Sequence, residues 1–252
     1  MDFTGKYVLV TGSSRGIGAA TARAFAQRGA RVALHYRSNR AKGEEVLASL
    51  AGEGHLLLQA DIADPQAVED LFSAIQSDFE RLDVVVNNAG IFDPHPIDEV
   101  DYQTWQRSWQ KTLDINLIGA GNVCYWAAQG MMEQGGGRII NVSSRGAFRG
   151  EPEFPAYGAS KAGLNALSQS LAKKLGKYNI GVYAVAPGFV ATDMAQPTLD
   201  GPQGPQIKGE SPLDRVARPE EVAHAILFYA SEQALFMTGG IIDVNGASYL
   251  RS

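Results

Sequence analysis

Short apolar runs alternate with helix-patterned segments along the whole chain, and few folds accept that order. The runs are Tyr7 to Val10, Arg31 to Tyr36, His55 to Gln59, Val84 to Val86, Arg138 to Val142, Gly181 to Ala186 and Gly240 to Val244. They are short and rich in β-branched residues, which is how a strand buried on both faces reads. Between them lie Ile17 to Arg28, closed by Gly29, and Ala41 to Leu50. A helix capped by Asp64 and opened by Pro65 runs to Phe79. A long stretch from about Asp101 to Gln134 carries Trp105, Trp109, Leu113, Asn116, Leu117 and Ala120 at helical spacing. Helices from Tyr157 to about Lys177 and from Pro219 to Ala230 complete the series. The pattern predicts an α/β fold, a doubly wound parallel sheet with helices on both faces. No linker or repeat divides it, so residues 1–252 read as a single domain. Residues 193–214 are rich in Gly and Pro, lack a period and are a candidate substrate lid.

In such a sheet, ligands sit beyond the carboxyl ends of the strands. Thr11-Gly12, Asp61, Asn87 to Gly90, Ser144 and Pro187-Gly188 all fall at those ends. The turn Gly12-Ser13-Ser14-Arg15-Gly16-Ile17-Gly18 joins the first strand to the first helix. Its glycines permit close backbone approach, and the helix N-terminus offers free N–H groups to a phosphate. The spacing is not Gly-x-Gly-x-x-Gly, but the position points to a dinucleotide. An acidic residue at the end of the second strand would select NAD(H) by binding the ribose hydroxyls. Here the end is His35-Tyr36-Arg37-Ser38, with no carboxylate. Arg15 and Arg37 can instead approach a ribose 2′-phosphate, so NADP(H) is expected over NAD(H).

The stretch Tyr157-Gly158-Ala159-Ser160-Lys161 reads as the early turns of a helix. Residues four apart share a helical face, so phenol and ammonium can meet. An ammonium nearby lowers a phenol from its ordinary ~10 and makes it an acid or base near neutral pH. The pattern alone also describes many solvated helix faces; Asn116, Ser144 and the Gly-rich turn give it weight.

The remaining composition serves mainly to exclude. The formal charge is −5 with no long basic run, which gives nucleic-acid binding no support. Cys124 is the only cysteine, and nothing beside it in sequence would make it a thiolate, so it reads as packing. His95 and His224 lack metal-ligand spacing, and no metal is expected. The first residues lack a signal-peptide layout, and no apolar run reaches the ~20 residues that span a bilayer. A cytoplasmic protein is expected.

Taken together, Thr11-Gly12-x-x-x-Gly16-x-Gly18, Asn87-Asn88-Ala89-Gly90, Asn116, Ser144, Tyr157-x-x-x-Lys161 and Pro187-Gly188 resemble the short-chain dehydrogenase/reductase family. The resemblance covers essentially the whole chain. It implies one Rossmann-type domain, a nicotinamide cofactor and a homotetramer. Tyr157 would exchange a proton with the substrate oxygen, and Lys161 would hold the nicotinamide ribose and depress the phenol pKa. Ser144 would polarise the carbonyl, and Asn116 would hold a water linking Lys161 to solvent. Ser143 competes with Ser144, but the family's serine stands thirteen residues before the tyrosine, which selects Ser144. The expected cofactor cleft comprises Gly12, Ser14, Arg15, Gly16, Ile17, Gly18, Arg37, Asp61, Ile62, Asn88, Ala89, Gly90, Tyr157, Lys161, Pro187, Gly188, Val190 and Thr192.

For the substrate, Phe92, Arg145, Phe148, Phe154 and Phe189 are the expected lining, and the phenylalanines suit an apolar or acyl group. Arg145 and Arg149 either hold an acid or sit in water. The nearest subgroup in resemblance is the 3-oxoacyl-acyl-carrier-protein reductases, through Gly137 to Ile140 and Pro187 to Met194. Carrier-docking arginines expected in bacterial members near Gly135 and at Tyr178 are absent, although Lys173, Lys174 and Lys177 are close. Leu34 to Ser38 resembles pteridine reductases, but Gly16 stands where those carry Arg. Sugar and steroid dehydrogenases share the family. A silent NADPH-binding sensor is the reading of another class; loss of a catalytic residue would favour it, and all four are present.

Overall fold

In the computed structural model, which describes residues 1–251, the apolar runs pair into one seven-stranded sheet. Strands β1 (Tyr7–Val10), β2 (Arg31–Tyr36), β3 (Leu56–Gln59), β4 (Val84–Asn87), β5 (Gly137–Val142), β6 (Ile180–Pro187) and β7 (Ile241–Val244) are parallel, in the order β3-β2-β1-β4-β5-β6-β7. The helices are α1 (Gly16–Ala26), α2 (Arg40–Ala48), α3 (Pro65–Asp78), α4 (Tyr102–Leu113), α5 (Ala120–Glu133), α6 (Gly146–Arg149), α7 (Pro155–Leu175), α8 (Gln196–Asp200), α9 (Gly204–Gly209) and α10 (Pro219–Ala230).

Alternation along each strand divides the core in two. Val8 and Val10 face α1 and α10, where Ala22, Phe25, Val222 and Ile226 pack over Val32, Val86 and Ile140. Leu9 faces the opposite side, where Leu71, Phe72 and Ile75 of α3 and Val123, Ala127 and Met131 of α5 cover Val85, Ile139 and Val182. Each buried Val, Leu, Ile, Phe or Met side chain contributes ~1.5–3 kcal/mol, so the two layers fix the sheet firmly. The chain winds from β1 outward to β3 and returns to start β4 on the other side of β1. That reversal opens a crevice between the carboxyl ends of β1 and β4.

The expected boundaries shift where side chains replace backbone. His55 does not enter β3, because its Nδ1 accepts the Val32 N–H at 3.1 Å in place of a ladder bond. The single long helix expected from Asp101 to Gln134 is two α-helices joined by a π-helical segment, Asp114–Gly119. The wider turn directs Asn116 inward, where its amide binds the Ile91 backbone and offsets the poorer helical ladder. Gly119 closes the segment because a Cβ there would lie 2.6 Å from the Ile62 carbonyl oxygen. The aperiodic segment 193–214 holds α8 and α9, both with proline in the first turn and both too short to show a period. Among the described residues, no helix is long and apolar enough to cross a membrane.

Candidate active site

The crevice is held open and in register by the Gly-rich turn. Thr11 Oγ1 accepts the N–H groups of Asn88 and Ala89, each at 3.0 Å. Asn88 Nδ2 in return donates to the Thr11 and Gly12 carbonyls at 3.0 Å. Gly12 has φ +62°, and a Cβ there would lie 2.8 Å from the Ala89 Cα, so only glycine lets the two loops meet. Every expected nucleotide-binding residue except Gly18 lines one continuous cleft of about 480 Å³. Gly18 lies behind it, where a Cβ would meet Asn88 Nδ2 at 2.5 Å. The free N–H groups opening α1, the exposed Arg15 and Arg37, and the absence of a carboxylate at the end of β2 suit a phosphorylated dinucleotide. Ser38, Asn39 and Lys42 join them at this end, with Lys42 Nζ 2.6 Å from Asp193. Proximity in the fold, not sequence, adds Lys42 to this group.

The expected catalytic side chains converge at the other half of the cleft. Ser144, at the end of β5, lies with Tyr157 and Lys161 of α7 in the lining, and its Oγ accepts the Gly146 N–H at 3.0 Å. Lys161 is buried, and its Nζ donates to the Val142 carbonyl at 2.8 Å. Asn116 stands behind this group, its Oδ1 accepting from Ile91 N–H at 2.8 Å and its Nδ2 donating to Ile91 O at 3.0 Å. Phe92 meets the Tyr157 ring edge-on at 4.7 Å.

The phenol does not have the lowered pKa expected from Lys161. Burial pushes Tyr157 up to about 12, opposed by Ser144 and reinforced by the charge of Glu151. Burial also pushes Lys161 down to about 8. The ammonium sits over the ring, 5.7 Å from its centroid, and loss of water is the main cause of both shifts. Without cofactor, the phenol of this cleft is therefore a protonated donor at neutral pH.

On the substrate side, Phe92, Arg145 and Phe189 line the cleft, while Phe148 and Phe154 do not. Phe154 stacks behind Phe92 at 3.5 Å, and Phe148 lies beneath the Arg251 guanidinium at 4.4 Å. Arg145 and Arg149 both pair with carboxylates of the protein itself. Arg145 bonds Glu210 and Ser248, each at 2.5 Å, and Arg149 reaches Glu210 at 3.2 Å. Glu210 lies in the segment after α9, more than sixty residues from either arginine. Glu151 also lines the cleft, at a position that no sequence motif marks.

A glycine-cradled nucleotide cleft joined to a Ser, Tyr and Lys cluster defines a nicotinamide-dependent oxidoreductase. The chain belongs to the short-chain dehydrogenase/reductase family. A family model described as enoyl-(acyl carrier protein) reductase matches residues 12–247. The chain is 37% identical to the D-threitol dehydrogenase of Mycolicibacterium smegmatis over 96% of this chain and 92% of that one. It is 36% identical to the 3-oxoacyl-acyl-carrier-protein reductase FabG of Staphylococcus aureus, over 97% and 98%. A solved short-chain type dehydrogenase/reductase from Mycobacterium ulcerans superposes with a TM-score of 0.90 at 29% identity, covering 98% and 91%.

Two buried histidines support this site without entering it, and periodicity could show neither role. His95 Nε2 accepts the Ala156 N–H at 3.1 Å, and its Nδ1 donates to Asp93 O at 2.7 Å, so the ring pins the start of α7 next to Tyr157. His35 Nδ1 accepts the Gly12 N–H at 3.0 Å, and its Nε2 donates to Ala60 O at 3.1 Å. The ring thus bolts the phosphate turn to the end of β3. Desolvation pushes His35 from its ordinary 6.5 to about 4, against the smaller opposing pull of the Ala60 carbonyl and Asp61. The unfolded chain takes up this proton below ~6.5, whereas the folded chain refuses it until about 4. His35 therefore favours folding above pH ~6.5, and that contribution falls as the pH drops to about 4, by about 3 kcal/mol in all. Denaturant titrations from pH 7 to 4 should show this slope in the wild type and a flatter one in His35→Asn. Equal slopes would remove the role.

Proposed function

We propose that the protein is an NADP(H)-dependent reductase of a small-molecule carbonyl. The observation that carries this reading is the convergence of Ser144, Tyr157 and Lys161 on one face of the nucleotide cleft, with Asn116 behind them. The nicotinamide, when bound, supplies the hydride. Negative charge then develops on the carbonyl oxygen, and the hydroxyls of Ser144 and Tyr157 stabilise it. Tyr157, protonated in this cleft, donates the proton. Lys161 gives one N–H to Val142, which leaves the rest of its ammonium for the ribose hydroxyls. Asn116 holds the Ile91 loop and, in this reading, the water that links Lys161 to solvent. NADP(H) is favoured over NAD(H) by Arg15, Arg37 and Lys42 at an adenine end without a competing carboxylate on β2.

Two substrate readings draw support from different walls. Phe92, Phe189 and Met194 suit the 3-oxoacyl thioester expected from the sequence, and one relative carries that name. No arginine stands at Gly135 or Tyr178 to dock an acidic carrier, so a free thioester fits better than a carrier-bound one. The carboxylate of Glu151 in the lining favours a hydroxylated small molecule instead. Residues 193–214 act as the lid. The chain assembles as a homotetramer in this reading. Trp105 packs on His95 and Trp109, so its support comes from the exposed Ile118 and Tyr125 of the same helical stretch.

Light scattering at micromolar protein should give four times the monomer mass; monomer alone would rule the assembly out. Replacement of Arg37 by Ala should cost NADPH, but not NADH, on the order of 1.5–3 kcal/mol in kcat/KM. A wild type that uses NADH equally well would end the argument for NADPH. Tyr157→Phe should lower reduction by ~10²–10⁴ with little change in NADPH affinity, whereas Lys161→Ala should lose both. If Tyr157→Phe keeps more than about a tenth of wild-type kcat, with a deuterated-cofactor isotope effect showing chemistry to be rate-limiting, another group supplies the proton.

A further inference from the structure

The charges around the substrate half of the cleft are unequal in what they have left to offer. Arg145 is 3% exposed; its guanidinium forms an ion pair with Glu210, donates to Ser248 and lies over the Phe189 ring at 5.3 Å. Lys161 faces the catalytic centre. Glu151 differs from both. It follows α6, and its side chain is only 14% exposed, yet it lines the cleft with Ser144 and Tyr157. Its charge acts on the Tyr157 phenol, with which it shares the lining. Among the described residues, no N–H or O–H donates to its carboxylate; the nearest cation, Arg149 Nε, stands 3.8 Å away, beyond hydrogen-bond reach. The carboxylate is partly buried but still meets the cleft, so a ligand hydroxyl entering there can take the place of water as its donor.

We propose that Glu151 is a substrate-binding residue that accepts a hydrogen bond from a hydroxyl group next to the reacting carbonyl. The preferred substrates are then short hydroxyketones and, in reverse, the corresponding polyols. A hydroxyl fits better than an ammonium group because the cluster is already balanced, with Arg145 and Arg149 facing Glu151 and Glu210. A substrate carboxylate meets a like charge. A simple 3-oxoacyl thioester carries no donor beside its ketone and leaves Glu151 unpaired. The apolar wall of Phe92 and Phe189 then packs on the carbon chain of the hydroxyketone. This inference rests on the carbonyl-reductase reading and narrows it.

The test compares three carbonyl probes with NADPH: erythrulose, 2-butanone as its hydroxyl-free counterpart, and acetoacetyl-N-acetylcysteamine as a thioester. Wild type should favour erythrulose over 2-butanone by at least ~10-fold in kcat/KM, the lower end of what loss of one hydrogen bond to a charged acceptor imposes. Glu151→Leu should abolish that ratio by losing ~10-fold or more on erythrulose and little on 2-butanone. Glu151→Gln, which retains an acceptor oxygen, should restore part of it. Unchanged NADPH affinity and circular dichroism show that the variants fold. Calorimetry of the NADP⁺ complex with erythritol reads the same contact without turnover: wild type should bind it and Glu151→Leu should not. Equal use of erythrulose and 2-butanone, equal losses on both in Glu151→Leu, or a preference for the thioester that the variant leaves intact would each overturn the proposal. Erythritol binding that depends on Glu151 with no turnover of any probe would sustain this contact and sink the reductase reading instead.

Discussion

The close approach of two loops across the sheet's reversal is the constraint on which the site depends. A Rossmann-type sheet creates a crevice between β1 and β4 by topology alone. Topology does not set its width. Thr11 and Asn88 do that with four hydrogen bonds between the loops, and Gly12 allows them because nothing larger fits against Ala89. His35 then ties the same turn to β3, so three strand ends share one rigid rim. The functional groups beyond β4, β5 and β6 inherit their positions from that rim.

Rigidity of this kind removes water, and the ionisable groups register the loss. Tyr157 rises, Lys161 falls and His35 falls, each mainly through burial. These shifts all favour the neutral form, as a low dielectric requires. Spacing in sequence correctly puts phenol and ammonium on one helical face, but it cannot weigh desolvation against attraction. The contrast with Cys124 is useful. Its thiol is likewise pushed up to about 12 by burial, with Asn141 and Asn87 opposing only weakly, and it lies in the core layer over β4 and β5 rather than in the cleft. A shifted pKa therefore marks burial first, and function only where the cleft also opens on the group.

What was legible in the sequence followed from local rules. Periodicity marks the strands and most helices, and strand-end position alone draws the nucleotide cleft together. The unread features share a dependence on partners distant in sequence. The π-helical segment needs Ile91 and Ile62 to show why Asn116 turns inward. Arg145 reads as free until Glu210 is beside it. Phe148 and Phe154 have the right chemistry for a pocket wall, but Arg251 and Phe92 occupy their faces. Lys42 sits on α2, where only the fold brings it to the nucleotide end.

The segment 193–214 meets both halves of the cleft, and its two attachments differ in strength. At the nucleotide end, Asp193 pairs with Lys42 where both side chains are about half exposed. Such pairs contribute ~0–1 kcal/mol and are screened by salt. At the substrate end, Glu210 pairs with Arg145, whose side chain is 3% exposed, and with Arg149. Separating that pair would strand a buried guanidinium, which costs several kcal/mol. Separation of the first pair thus costs far less than separation of the second. The segment is thus tied more firmly at its Glu210 end than at Asp193, and the firmer tie lies beside the wall formed by Arg145 and Phe189.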